Sequence, residues 1–202
     1  MTVIAISGQP GAGSTTTSRV LAKNLGFNHF SPGRVFKDIS LGIVKGKFYY
    51  PLLQEKCMEH NLILPDYSSS SATQGVIDLW KTEFGKSPEF HKIIDEIQKE
   101  LTKKGNIVID GKLSLRMLPN AKLKIWLKAD SKVRAKRTAS RESLNLQNSQ
   151  SLLEKREALE RKEWNNIYGF DYWEQEKEAN LVIDTSSLET SEVVKIITSK
   201  IN

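Results

Sequence analysis

The sequence predicts an α/β protein, a three-layer αβα sandwich around a five-stranded parallel sheet. Three observations carry this. Five short apolar runs recur along the chain without clean polar–apolar alternation, as strands buried on both faces require. Helical stretches separate them, which gives the β-α-β rhythm of a doubly wound sheet. With 202 residues, 39% apolar and 27% charged, the chain can build one substantial core and is short for two.

TVIAIS (2–7) is the first strand; no basic segment precedes it, so it reads as a strand and not as a signal peptide. GQPGAGSTTT (8–17) follows and opens a helix near Thr15, which runs through Val20, Leu21 and Leu25 to a stop at Gly26. NHFS (28–31) is the second strand. Residues 41–88 change texture: aromatics, a serine run (Ser68–Ser71) and weak periodicity predict an insertion that is either a mobile ligand cover or poorly ordered. A helix over Glu89–Lys104 leads to NIVID (106–110), and LKIWLK (123–128) is the fourth strand. Helices over Ser131–Glu142 and Ser149–Asn166 precede NLVID (180–184). The last helix, Glu189–Ile201, sets Val193, Ile196, Ile197 and Ile201 on one face. Trp80, Trp126, Trp164 and Trp173 read as core or interface anchors.

A net charge of +6 points to anionic partners without choosing between nucleotides and nucleic acid. The aromatic–basic interleaving of nucleic-acid modules is missing, so nucleic acid is the weaker reading. No apolar run approaches a membrane span, and no membrane partner is expected. Cys57 is the only cysteine, which excludes an intrachain disulfide or a cysteine zinc cluster and fits a cytoplasmic setting. His29, His60 and His91 are too scattered for a metal motif, and His29 reads as a packing or site-edge residue.

The chemistry concentrates in the glycine loop. Gly8, Gly13, Ser14 and Thr15 fit G-x-x-x-x-G-K-[ST], except that Ser14 stands at the lysine position. Such a loop, leaving a buried strand and opening a helix, turns consecutive N–H groups into one concavity at the positive end of the helix dipole. A ligand-free strand-to-helix turn would use the same glycines; strand, spacing and helix together favour polyphosphate binding. Thr15 would meet Mg²⁺, joined by Asp110 at the carboxyl end of NIVID, although an aspartate there also serves a plain turn. Without the lysine, cations must come from elsewhere. Arg134, Arg137 and Arg141 recur at i, i+3 and i+7, which places them on one helical face, and Arg156 with Arg161 forms a second set. Glu142, Glu154, Glu157 and Glu160 interleave, so a solvated, salt-bridged helix pair is the competing reading.

GQPGAGSTT resembles the phosphate loop of the nucleoside monophosphate kinases, specifically the archaeal type of cytidylate kinase, in which some members carry threonine at the lysine position. FSPGRVFKD (30–38), IIDEIQ (93–98), IVIDGKLS (107–114), the stretch 123–142, IYGFD (167–171) and LVIDTS (181–186) are similar to further family motifs. The resemblance implies a P-loop kinase core at 1–40 and 105–202 and a helical lid at about 131–166. It also implies a nucleoside-monophosphate-binding insertion at 41–104, longer than is usual in the family. It implies ATP and Mg²⁺ as cofactors and a nucleoside monophosphate, CMP or dCMP, as substrate. Gly8, Gly11, Ala12, Gly13, Ser14, Thr15 and Thr16 would hold the donor, and Thr15 and Asp110 the metal. Ser31, Gly33, Lys37, Asp95, Gln98 and Lys112 would bind the acceptor; Arg134, Arg137, Arg141, Arg156 and Arg161 would be the catalytic lid cations. Lys37 and Lys112 stand where the family has arginine, and Glu163 precedes Trp164 where an arginine is expected. Lysine keeps the charge but loses the bidentate fork. A weak or inactive nucleotide-binding relative, or a kinase for another small acceptor, is the alternative, and a monomer is favoured.

Overall fold

The computed structural model describes residues 1–70 and 72–201; Ser71, the last of the serine run, and Asn202 lie outside them. The five predicted runs are all strands: β1 (Val3–Gly8), β2 (Asn28–Phe30), β3 (Ile107–Asp110), β4 (Leu123–Lys128) and β5 (Leu181–Asp184). They form one all-parallel sheet in the order β2-β3-β1-β4-β5. The carboxyl ends of β1 and β3 are therefore adjacent, with Ile6 opposite Asp110 and Gly8 opposite Leu127 of β4. That adjacency brings the glycine loop beside Asp110.

Strand side chains alternate between two apolar clusters. Ile4, Ile6, Val108, Ile125 and Leu127 face one side, where α1 (Ser14–Leu25) contributes Leu21 and Ala22. Ala5, Ile107, Ile109 and Trp126 face the other, beneath α2 (Pro32–Ser40). Burial on both faces removes any reason for polar alternation along these strands. α1 ends on Gly26 at φ 64, a left-handed C-cap that glycine adopts without a Cβ penalty.

Residues 41–88 are built of short helices, apart from an irregular stretch at 62–69. A short 3₁₀ turn (Val44–Gly46) leads to α3 (Tyr50–Glu59), α4 (Ala72–Trp80) and α5 (Glu83–Lys86). In α4, Val76, Ile77, Leu79 and Trp80 are buried while Gln74 and Asp78 stay exposed one turn apart, a helical pattern too short to stand out in the sequence. Leu53, Leu79 and Trp80 share one cluster with Ile107 and Ile109. The insertion thus packs onto the sheet core, and each fully buried large apolar side chain contributes about 1.5–3 kcal/mol. α6 (Pro88–Thr102) starts on Ser87, whose hydroxyl accepts from the Phe90 amide. α7 (Ser114–Met117) is a single turn after β3.

α8 (Ser131–Glu142) has the predicted bounds, while α9 (Leu146–Tyr168) is longer than expected because Asn145 caps it, accepting from the Asn148 amide. α10 (Thr190–Thr198) closes the chain and packs Val193, Val194 and Ile197 on the first cluster. Trp80, Trp126 and Trp164 are buried, as expected of anchors, and Trp173 is half-buried beneath the Arg161 guanidinium. Among the described residues no helix is long and apolar enough to cross a membrane.

Candidate active site

The loop between β1 and α1 takes its shape from close backbone approach. Gly8 sits at φ 152, and a Cβ there would lie 2.2 Å from the Leu127 carbonyl oxygen. Gly11, at φ 81, presses its backbone against Arg134, leaving no room for a side chain. The loop is closed by the Ala12 amide on the Gln9 carbonyl (3.1 Å) and the Thr17 amide on the Gly13 carbonyl (2.9 Å). Among the described residues no protein acceptor meets the amides of Gly11, Gly13, Ser14, Thr15 or Thr16. Five main-chain donors therefore converge on one concavity at the N-terminus of α1, an arrangement able to hold an anion.

That concavity is the floor of a cleft of about 540 Å³, walled by Arg137, Arg141 and Arg156 and by the turn after β5 at Thr185 and Leu188. A second cleft of about 230 Å³ lies on the α2 side and reaches Ser31, Gly33, Arg34 and Trp80. Both clefts share Ser14, Thr15, Thr16 and four cations: Lys37, Lys112, Arg141 and Arg156. A third, small cavity of about 50 Å³ continues inward between Gly33, Asp95, Gln98 and Tyr168. A path thus runs from the loop, past four cations, to a buried acid.

Asp110 is the hub between the clefts. Its Oδ2 accepts from the Thr15 hydroxyl at 2.7 Å and from the Ser31 hydroxyl at 3.2 Å. Its Oδ1 meets His29 Nε2 at 2.6 Å, and the Ser18 hydroxyl lies 3.2 Å from the same nitrogen. His29 is a site-edge residue, as expected, and it orients the carboxylate. Thr15 and Asp110 offer hard oxygen donors beside the phosphate loop, a donor set that fits Mg²⁺, which takes one or two protein oxygens plus substrate phosphates.

The cations are held in different ways. Lys112 Nζ donates to the Gly8 carbonyl at 2.6 Å and lies 5.5 Å from the centre of the Tyr172 ring. Burial pushes its pKa down to about 7, and nearby Arg156 and Arg134 add to this against Glu160 and Glu157. Burial also lowers Lys37 to about 8, with Arg156 and Arg141 adding to the effect. Arg156 is fixed by Glu160, 2.7 Å from its Nε, and Glu160 is itself buried. Arg141 is half-exposed and pairs with the adjoining Glu142.

Two expected lid cations do not line the clefts. Arg134 is 5% exposed and turned behind the loop, where its guanidinium donates to the carbonyls of Ala129 and Pro10 and pairs with Glu157. The i, i+3, i+7 spacing was right for α8, but the loop packs across one end of that face and captures its first arginine. Arg161 projects outward, pairs with Asp171 and lies over the Trp173 ring. Arg137 does face the larger cleft, tied to the Thr185 hydroxyl and carbonyl at 2.9 and 2.7 Å.

The small cavity gathers Gly33, Asp95, Gln98 and Lys112 and adds partners the sequence did not reveal, while Ser31 and Lys37 line the second cleft. The Ser114 hydroxyl donates to Gln98 Oε1 (2.9 Å), the Gln98 amide to Asp95 Oδ1 (3.1 Å), and the Tyr168 hydroxyl to Asp95 Oδ2 (2.7 Å). Burial raises the Asp95 pKa to about 6, partly offset by Tyr168, Lys99 and Gln98. His91 stacks on Trp80 and meets the Gly85 carbonyl at 2.9 Å, and burial lowers its pKa to about 4. Arg34 faces the second cleft from α2, held by Asp38 at 2.7 Å. Tyr168, His91 and Arg34 were missed as site residues. Only their aromatic or basic character marked them, and their neighbours in space are distant in sequence.

With this geometry, the chain matches the model of the cytidylate kinase-like family over residues 3–187. A cytidylate kinase of Pyrococcus abyssi is 31% identical over 200 residues, covering 99% of this chain and 93% of that protein. One from Thermococcus kodakarensis is 32% identical, covering 99% and 88%. Among solved structures, an uncharacterized protein from Eubacterium ventriosum aligns with a TM-score of 0.61 at 13% identity, covering 100% of this chain and 98% of that one. Shikimate kinase from Acinetobacter baumannii aligns with a TM-score of 0.53 at 16% identity, covering 100% and 93%. At those identities the two structures speak to the fold alone.

Proposed function

The chain belongs to the cytidylate kinase-like family, and from that premise we propose that it transfers the γ-phosphoryl group of ATP to a cytidine monophosphate, CMP or dCMP, giving the diphosphate and ADP. The observation that carries this reading is the junction of the two clefts at Ser14–Thr16, where four cations face both sides. A donor's terminal phosphate and an acceptor's phosphate can meet only where anionic charge is neutralised from several directions.

In this reading the free amides of the loop hold the donor phosphates, and Arg137 borders the space for the rest of the nucleotide. Lys37 makes no hydrogen bond or ion pair through its ammonium among the described residues, and it takes the acceptor phosphate together with Arg34. Thr15 and Asp110 are the residues that would hold Mg²⁺, which neutralises phosphate charge when bound. Arg141 and Arg156 stabilise charge on the transferring group, Arg156 already oriented by Glu160. An acceptor phosphate oxygen attacks the γ-phosphorus as the bond to the β-phosphate oxygen breaks. Such a transfer needs alignment and charge stabilisation more than a general base.

Base selection rests on the direction of the hydrogen bonds around Asp95. Every neighbour donates to it, so its carboxylate presents acceptors to the cavity. An exocyclic amine, as on cytosine, satisfies that carboxylate; the carbonyl of uracil at the same place sets oxygen against oxygen and leaves buried groups unpaired. A coupled ADP-release assay with ATP and Mg²⁺ across CMP, dCMP, UMP, AMP and dTMP tests this. Fastest turnover with CMP or dCMP is expected, and nucleotide binding with no ADP formation from any acceptor overturns it.

A further inference from the structure

Residue 14 raises a question that the geometry answers. Phosphate loops of this spacing carry a lysine there, whose ammonium reaches the β- and γ-phosphates. Ser14 is too short to do so. Yet an ammonium does reach the loop. Lys112 extends from the segment after β3 and donates to the carbonyl of Gly8, the residue at which the loop begins, at 2.6 Å. We propose that Lys112 supplies the cation missing from position 14 and acts on the donor's β- and γ-phosphates, a role distinct from the acceptor-phosphate contact that its place in the family motif implies.

This rests on the kinase reading above and refines it. Three features hold Lys112 in place. Ser7, at the end of β1, donates its hydroxyl to the carbonyls of Gly111 (2.8 Å) and Lys112 (2.7 Å), clamping this backbone beside the start of the loop. Gln175 donates to the same Lys112 carbonyl at 2.7 Å. The ammonium lies over the ring of Tyr172, a fully buried aromatic, 5.5 Å from its centre. An ammonium carries three donors. One is on Gly8, so two remain for oxygens in the cleft that Lys112 shares with the loop amides. In the transfer, the bond between the γ-phosphorus and the bridging oxygen breaks, and its electron pair stays on the β-phosphate. An ammonium at the loop mouth stabilises that charge, and the bound phosphates in turn favour the protonated form that burial alone depletes. Lys37, with no such tether, is left to the acceptor phosphate.

The test separates donor from acceptor terms. Lys112→Met and Lys112→Gln are compared with the unaltered protein by calorimetric binding of ADP and ATP and by steady-state kinetics with CMP. The glutamine variant keeps a donor for the Gly8 carbonyl should the methionine variant fold poorly. Loss of one charge-assisted contact predicts roughly ten- to a hundredfold weaker ADP and ATP binding and a lower kcat, with the CMP KM changed less than about threefold. Adding Ser14→Lys to either variant restores nucleotide binding, because the ammonium returns from the other side of the loop. A raised CMP KM with unchanged ADP affinity, or no recovery on adding Ser14→Lys, overturns the proposal. An unaltered protein that binds no ADP and phosphorylates no monophosphate overturns the kinase reading itself, which keeps the two failures distinct.

Discussion

In the kinase reading proposed above, the donor side and the acceptor side of the site are built from different materials. On the donor side the recognising groups are main-chain amides, held by a glycine loop that connects two adjacent elements, β1 and α1. On the acceptor side they are side chains from α2, α6, α7 and α9, assembled across the aromatic half of the core. The first kind of site is specified by a dozen consecutive residues and tolerates little change in backbone. The second depends on long-range packing and can change its chemistry by single side-chain exchanges. A phosphate is the same in every nucleotide, whereas the base differs, and the two constructions divide along that line.

The contrast can be broken most severely at Gly8. Gly8→Ala drives a Cβ into the Leu127 carbonyl where β1 meets β4, and is expected to cost about 3 kcal/mol or more of stability, read by urea denaturation. Next in size is Asp110→Asn, which weakens the hub joining Thr15, Ser31 and His29; kcat/KM should fall about a hundredfold while ADP binding without metal changes little. Tyr168→Phe touches only the acceptor side. It should raise the CMP KM roughly fivefold by removing one hydrogen bond to Asp95, with ADP affinity unchanged.

The smallest effect sharpens the comparison through pH. The Asp95 pKa is raised to about 6, so its carboxylate, the form that accepts from an amine, is depleted as pH falls through that value. Between pH 7.5 and 5.5 the ionised fraction falls about fourfold, and the CMP KM should rise by that factor. Asp95→Asn should remove the Asp95 share of the rise, leaving the part that CMP's own phosphate ionisation contributes. In Tyr168→Phe the midpoint of the Asp95 share should move upward, since the tyrosine hydroxyl favours the ionised form. ADP affinity over the same range should show no step with this midpoint.

The same division explains what could be read from the chain. The strands, the loop and Asp110 were legible because each depends on local pattern: apolar runs, glycine spacing, an acid at a strand end. Helical spacing pointed to Arg137 and Arg141, and a second basic cluster to Arg156, as cations that line the cleft with the loop. Arg134 was misjudged because periodicity says which face a residue shares but not what packs on it. The helices of residues 41–88 were hidden because each is short, from four to ten residues, so few turns repeat the pattern of buried and exposed positions. Tyr168 and His91 join the site only through tertiary packing around Asp95 and Trp80, a relation without a local signature.

Arg134 has a mechanical consequence. Its guanidinium grips the loop through Pro10 and the long helix α9 through Glu157, at a position almost sealed from solvent. Any outward swing of α9 must strip a carboxylate from a charge that has no water to replace it. One buried guanidinium therefore ties the glycine turn, α8 and α9 together at a single point.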